Sequence, residues 1–143
     1  MQFNKMKFGA RLFTFFYEYD HMMRQFCNSI GLYSGQPRIL TAMSNNPGKT
    51  LSELSSMIGV GLPSLSVSIR SLKKAGLVRD NGAGRNRALY LTEEGMQKAA
   101  QFHEEFDKFI DAFIDSVGEE RVAVFDAELS NMSEFFKKYT ESI

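Results

Sequence analysis

"LVRDNGAGRNRALYLTEEG", residues 77–95, decides the fold of this chain. Two short apolar runs, Leu77-Val78 and Ala88-Leu89-Tyr90-Leu91, flank a tip of Asn, Gly and Arg whose largest apolar side chain is Ala83. Apolar runs separated by a glycine-bearing polar tip read as a β-hairpin. The second run stops abruptly at Thr92-Glu93-Glu94-Gly95, where Thr92 can cap a long, acidic-faced helix. The hairpin therefore carries Arg85 and Arg87 at its tip while its base is anchored to a rigid element.

Upstream of the hairpin, Thr50-Leu51-Ser52-Glu53 has capping-box spacing, with Thr50 as N-cap and Glu53 reaching back. The helix it opens turns Leu51, Leu54 and Ile58 inward and ends at Gly59. Pro63 suits the first turn of the next helix, in which Leu65, Ile69 and Leu72 share one face, and Ala75-Gly76 closes it. A shorter helical segment, Arg38 to about Asn45, follows Gln36-Pro37 and is closed by Asn45-Asn46-Pro47-Gly48. The order is thus short helix, capped helix, tight turn through Gly59-Val60-Gly61, second helix, hairpin. That is a helix-turn-helix followed by a two-stranded β-wing.

Long helices flank this centre. Phe8, Leu12, Phe15, Tyr19, Met22, Phe26 and Ile30 recur at helical spacing, and Phe13, Phe16 and Met23 widen the apolar surface to a second face. After the wing, Met96, Phe106, Phe109, Ile110, Phe113, Ile114 and Val117 are expected inward on a helix that Gly118 breaks. Val122, Phe125, Leu129, Met132, Phe136, Tyr139 and Ile143 then form an unbroken a/d heptad pattern. These helices carry more apolar surface than one chain of 143 residues covers, so an obligate homodimer is expected.

The chain has seventeen basic and seventeen acidic side chains, but they are segregated. Residues 49–91 hold seven basic against two acidic side chains, whereas 92–143 hold five against thirteen. A basic middle beside an acidic C-terminal segment points to a polyanion as the partner of the middle alone. The second helix of the pair presents Ser64, Val67, Ser68, Ser71 and Lys74 on its non-core face, with Ser66 and Arg70 at the margin. Small side chains there let a helix approach base edges and phosphates in a major groove. Lys73, Lys74 and Arg79 lie where phosphates flank such a groove, and the tip of Gly82, Gly84, Arg85 and Arg87 suits a narrow minor groove. Taken singly, serines on a helix face or arginines in a hairpin are ordinary solvated residues; their order along the chain, together with the charge segregation, favours double-stranded DNA.

"LSELSSMIGVGLPSLSVSIRSLKKAGLVRDNGAGRNRALYLTEEG" resembles the winged helix-turn-helix of the MarR (multiple antibiotic resistance regulator) family over about residues 36–96. The sharpest parts are "LSELSSMIGV", "LKKAGLVRD" and "RALYLTEEG", and the flanking helices fit the family's layout. The resemblance implies a homodimeric bacterial transcription factor, commonly a repressor, that binds a pseudo-palindromic operator and loosens on meeting a small ligand or an oxidant. It also implies that Arg85 is the arginine of the wing that enters the minor groove. Two positions depart from the pattern: Ala83 replaces the Asp that often pins this arginine in relatives, so that Arg85 is either freer or pinned by Asp80 instead, and Val67 stands where a basic residue is common in the recognition helix. Val67 could instead touch a thymine methyl group.

The expected architecture is mainly α: one domain, with dimerisation helices at 1–35 and 96–143 around a winged DNA-binding region at 36–95. The expected DNA-contacting residues are Ser64, Ser66, Val67, Ser68, Arg70, Lys74, Arg79, Arg85 and Arg87. Phe13, Phe16, Tyr17 and Met43 either belong to the core or line a pocket for an apolar or aromatic effector. Cys27 is either a buried structural thiol or, as in some relatives, a redox sensor; a reactive cysteine needs exposure and a stabilised thiolate. No nucleophile elbow, P-loop or paired-carboxylate site marks an enzyme, and His21 and His103 lack metal-site spacing, so neither cofactor nor metal is expected. A single cysteine and no long apolar run suit a cytoplasmic protein with no membrane partner. The rival function is a dimeric winged module that binds protein.

Overall fold

The computed structural model describes residues 2–82 and 86–143. Its elements run α1 (Lys5–Ser29), α2 (Gln36–Asn45), α3 (Leu51–Ile58), α4 (Leu62–Lys74), β1 (Val78–Asp80), β2 (Leu89–Leu91), α5 (Glu93–Val117) and α6 (Glu119–Glu141). Two compact units result, Met1–Phe102 and His103–Ile143, and the division falls within α5.

In the first unit several helix ends are closed by side chains, some from the same turn and some from distant elements. The Asn4 side chain accepts from Lys7 N–H at 2.9 Å to start α1, and Lys98 Nζ donates to the Ile30 carbonyl at its far end, 2.8 Å away. α2 begins at Gln36, two residues before the expected Arg38. Pro37 fits the first turn, where its missing N–H costs no hydrogen bond, and Gln36 Oε1 accepts from Tyr33 N–H at 2.9 Å. The capping box of α3 is complete: Thr50 Oγ1 accepts from Glu53 N–H, and Glu53 Oε1 from Thr50 N–H, each at 3.2 Å. Gly59 ends α3 at φ +75°, a conformation that favours glycine, while the Arg38 guanidinium donates to the Ile58 carbonyl.

Leu40, Met43, Leu54, Leu65, Leu72 and Cys27 are closed off from solvent and form the centre of this unit. Leu65, Ile69 and Leu72, the expected inward face of α4, are all buried, so its opposite face is available.

The wing pairs antiparallel, Val78 opposite Leu91, Arg79 opposite Tyr90 and Asp80 opposite Leu89. β1 starts one residue later than the apolar run because Leu77 N–H bonds back to the Leu72 carbonyl at 2.9 Å and belongs to the exit from α4. β2 is also held on its other edge: Leu89 N–H donates to the Lys49 carbonyl at 2.9 Å and Gly48 N–H to the Leu89 carbonyl at 3.0 Å. Thr92 then joins wing to helix, its hydroxyl donating to the Gly76 carbonyl at 2.6 Å and accepting from Gly95 N–H at 3.0 Å. At Gly95 a Cβ would stand 2.0 Å from the Leu77 carbonyl oxygen, so the start of α5 can pack this close only without a side chain. Met96, expected inward, is exposed; Ala99 and Phe102 take the buried positions.

In the second unit Phe106, Phe109, Ile110, Phe113, Ile114 and Val117 are half-buried, and Gly118 turns the chain into α6 at φ +99°. The Phe113 and Phe125 rings lie 6.3 Å apart. No residue of α6 is buried, and its heptad residues Leu129, Met132, Phe136 and Tyr139 are exposed.

Candidate nucleic-acid interface

α4 is oriented by its buried leucines, which leave Ser64, Val67 and Lys74 exposed and Ser68 and Ser71 half-buried on the other side. Val67 is 61% exposed, an apolar residue displayed on a polar face. Ser66 is half-buried and Arg70 exposed along the flank that faces the wing. Arg70 and Lys74 form no ion pair among the described residues, so their charge is not neutralised internally. Ser71 is also reached from the core: Gln36 Nε2 donates to its hydroxyl at 3.4 Å. Gln36 is buried, and this contact together with Tyr33 N–H satisfies its amide.

The remaining cations behave differently. Lys73, on the last turn of α4, donates to Asp80 Oδ2 at 2.5 Å, and Arg87 Nη1 reaches the same oxygen at 3.3 Å. Asp80 Oδ1 accepts from Gly82 N–H at 2.9 Å, so one carboxylate ties α4 to both limbs of the wing. The Lys73 hydrogen bond above all, then the Gly82 N–H and Arg87, lower the Asp80 pKa to about 2. Arg79 lies with its guanidinium carbon 4.6 Å from the centre of the Tyr90 ring, a cation–π contact across the ladder.

Between α4 and the wing a cleft of about 330 Å³ opens, with Leu51, Ile69 and Leu89 as its apolar part. Arg70, Lys73 and Arg87 line it with positive charge, joined by Ser66. Of the residues expected to contact DNA, the structure therefore groups Ser66, Arg70 and Arg87 at one cleft and puts Ser64, Val67, Ser68 and Lys74 on one helix face. Arg79 stands on the wing, and Arg85, with Ala83 and Gly84, lies outside the described residues. The sequence offered Asp80 only as a substitute partner for Arg85; its links to Lys73, Gly82 and Arg87 were not foreseen, although Asp80 and Glu53 are the acidic residues of the basic segment 49–91. Gln36 left no signal in the sequence beyond its position before Pro37.

The candidate effector residues divide by exposure. Phe13, Phe16 and Tyr17 are exposed on α1, whereas Met43 is in the core. Cys27 is wholly buried, and desolvation raises its thiol pKa. Among the described residues no group of three or more His, Cys, Asp or Glu side chains could hold a metal ion. No helix of the described residues is long and apolar enough to cross a membrane.

Residues 30–86 match the sequence model of the MarR family. No curated protein matches the chain. Among solved structures, the transcriptional repressor CouR bound to a 23-mer DNA duplex is similar with a TM-score of 0.80 at 16% identity, over 93% of this chain and 98% of that one. FabT of Streptococcus pneumoniae in complex with DNA gives 0.76 at 19%, over 94% and 99%. NadR in complex with 4-hydroxyphenylacetate gives 0.70 at 23%, over 92% and 98%. At these identities the likeness is one of fold: the mainly helical, winged helix-turn-helix architecture with its two-stranded antiparallel wing.

Proposed function

We propose that this chain, whose winged segment is of the MarR family, is a sequence-specific DNA-binding transcriptional regulator that acts as a homodimer in the cytoplasm. In this reading α4 enters the major groove of each half of a pseudo-palindromic operator and the wing reaches the adjacent minor groove. The observation that carries it is the outward face of α4, Ser64, Val67 and Ser68, flanked by Arg70 and Lys74 with no ion pair among the described residues. Ser64 and Ser68 hydrogen-bond bases or phosphates, Val67 packs on a thymine methyl group, and Arg70, Lys74 and Arg79 meet phosphates. Arg85 enters the minor groove, and Ser66 and Arg87 serve the cleft beside it.

The dimer rests on α1 and α6, on which Phe13, Phe15, Phe16, Leu129, Met132 and Phe136 stay exposed in a single chain. Repression relieved by a small apolar or aromatic effector is supported by the exposed rings Phe13, Phe16 and Tyr17 and by the aromatic acid bound to NadR. Burial of Cys27 in an environment that disfavours the thiolate works against oxidant sensing through this residue.

Purified protein incubated with fragmented genomic DNA is the test. Recovery of a few pseudo-palindromic duplexes, with affinity falling steeply as salt rises, is the expected outcome. Retention of no duplex, or of all duplexes equally, would refute sequence-specific regulation and favour a winged module that binds protein. A mobility-shift series with phenolic and aromatic acids then addresses the effector, and release only by peroxide would overturn the pocket reading.

A further inference from the structure

Two of the three cations lining the cleft between α4 and the wing are already engaged, and by the same oxygen. Lys73 Nζ and Arg87 Nη1 both bond Asp80 Oδ2, whereas Arg70 has no ion pair among the described residues. The Asp80 side chain is only 15% exposed, but those of Lys73 and Arg87 are 35% and 51% exposed. The cations can thus turn toward an incoming anion while Asp80 remains in its seat, its other oxygen still accepting from Gly82 N–H. The carboxylate presents to Lys73 and Arg87 what a backbone phosphate would present: a planar or tetrahedral oxyanion accepting charge-assisted hydrogen bonds.

We infer that Asp80 is a specificity-determining residue of the DNA interface: it keeps Lys73 and Arg87 engaged in the free protein, and a backbone phosphate seated in the cleft takes them over. This rests on the DNA-binding reading above. The physical consequence concerns sequence-independent binding, which is driven by counterions released as free cations meet phosphates. On a duplex where α4 does not dock, phosphates pass near Lys73 and Arg87 but none is seated in the cleft to displace the carboxylate, and both cations stay on Asp80. On a docked operator half-site one does, and the exchange replaces one ion-paired arrangement by another. Asp80 thereby withholds two cations per subunit from the wrong DNA and releases them to the right one.

The experiment measures affinity by fluorescence anisotropy over a range of salt. It uses the tightest duplex recovered by selection and a scrambled duplex of the same length and composition. Asp80→Asn keeps an oxygen for Gly82 N–H and removes the carboxylate charge that holds Lys73 and Arg87. It should tighten binding to the scrambled duplex and steepen its salt slope by about one to two units per subunit, at ~0.9 per phosphate. The slope on the selected duplex should stay as in the parent protein, so discrimination falls at least about tenfold. Glu94→Gln, which removes an acidic charge from the start of α5, should not reproduce this asymmetry. Equal steepening on both duplexes would mean that Asp80 contributes net charge alone. Weaker binding to the selected duplex with no gain on the scrambled one would mean that it merely braces the wing. Both results overturn the inference.

Lys73→Gln tests the same exchange independently, including where Asp80→Asn fails to fold by circular dichroism. It should flatten the slope on the selected duplex by about one unit per subunit and leave the scrambled duplex unchanged. Equal flattening on both refutes the exchange. Parent protein that binds no duplex would overturn the DNA-binding reading and this inference together. Parent protein that binds selectively, with variants behaving otherwise, overturns the inference alone.

Discussion

In the unit Met1–Phe102 the leucines at 40, 54, 65 and 72 are closed off from solvent, whereas in His103–Ile143 no residue of α6 is buried. Both regions are written with a helical apolar repeat, yet within one chain that repeat is covered only in the winged centre of the first, around Leu40, Leu54, Leu65 and Leu72. The winged region brings three short helices and a hairpin around a shared centre, so each inward face finds another. The α6 heptads leave Leu129, Met132 and Phe136 exposed, and α1 repeats the pattern with Phe13, Phe15 and Phe16. An apolar stripe of this size that stays open in one chain is what a stable protein–protein interface uses. The contrast teaches that stability of the winged centre should be a property of the chain, and that of the terminal helices a property of protein concentration.

The most severe way to break that contrast is to charge the open stripe. Leu129→Asp combined with Phe136→Asp should abolish the proposed dimer and yield unfolded or aggregated protein, as judged by light scattering coupled to size exclusion. A soluble, folded monomer with intact DNA affinity would show that α6 does not carry assembly.

The winged centre is probed next through Gly95→Ala. Its Cβ meets a backbone carbonyl oxygen, which cannot step aside as a flexible side chain could. A loss of about 3 kcal/mol is expected in denaturant unfolding at fixed protein concentration, on the scale of overpacked interiors. An unchanged midpoint would mean that wing and α5 separate at little cost.

Arg85→Ala acts on function instead. The protein should remain folded, with operator binding weakened by roughly 1 kcal/mol per subunit and the salt slope flattened by about two units per dimer. Unchanged affinity and slope would remove the wing from the interface.

Thr50→Ala sharpens the comparison at a single helix end, because the capping box of α3 satisfies its donors without help from any partner. About 1 kcal/mol should be lost, independent of protein concentration. A concentration-dependent loss would mean that the winged centre, too, leans on assembly.

The smallest effect is expected from acid. The Asp80 pKa is lowered from 3.8 to about 2, so the folded state binds this proton less readily than the unfolded chain. The resulting stabilisation is complete above about pH 4 and is lost as pH falls through about 2. Asp80→Asn should flatten the acid limb of the unfolding curve in that window. An identical acid limb in both proteins would mean that the clasp contributes no stability.

Much of the fold was legible because its signals are short-range. The capping box at Thr50 and Glu53, the glycine stop at Gly59 and the inward set Leu65, Ile69 and Leu72 each need only a few consecutive residues. The basic face of α4 followed from the same periodicity, since fixing the buried leucines fixes what lies opposite. Met96 was misread because its spacing continues the apolar pattern of α5, while the residues that find cover there are Ala99 and Phe102. Periodicity tells which residues share a face, not how far along the helix that face is covered.

By itself, then, the sequence determined the helices, their ends, the hairpin and the display of serines and cations on one helix face, all consequences of backbone hydrogen bonding and local periodicity. Tertiary structure alone decided which cations are spent internally and where a side chain is forbidden. Lys73, Asp80 and Arg87 lie seven residues apart in succession and meet only because β1 leaves α4 at one angle and β2 returns in one register. Gly95 is likewise compulsory only because the chain from Leu77 passes it at close range. Charge pairing and close packing depend on distances in space, and those are set when separate elements dock, not by the order of residues within any one of them.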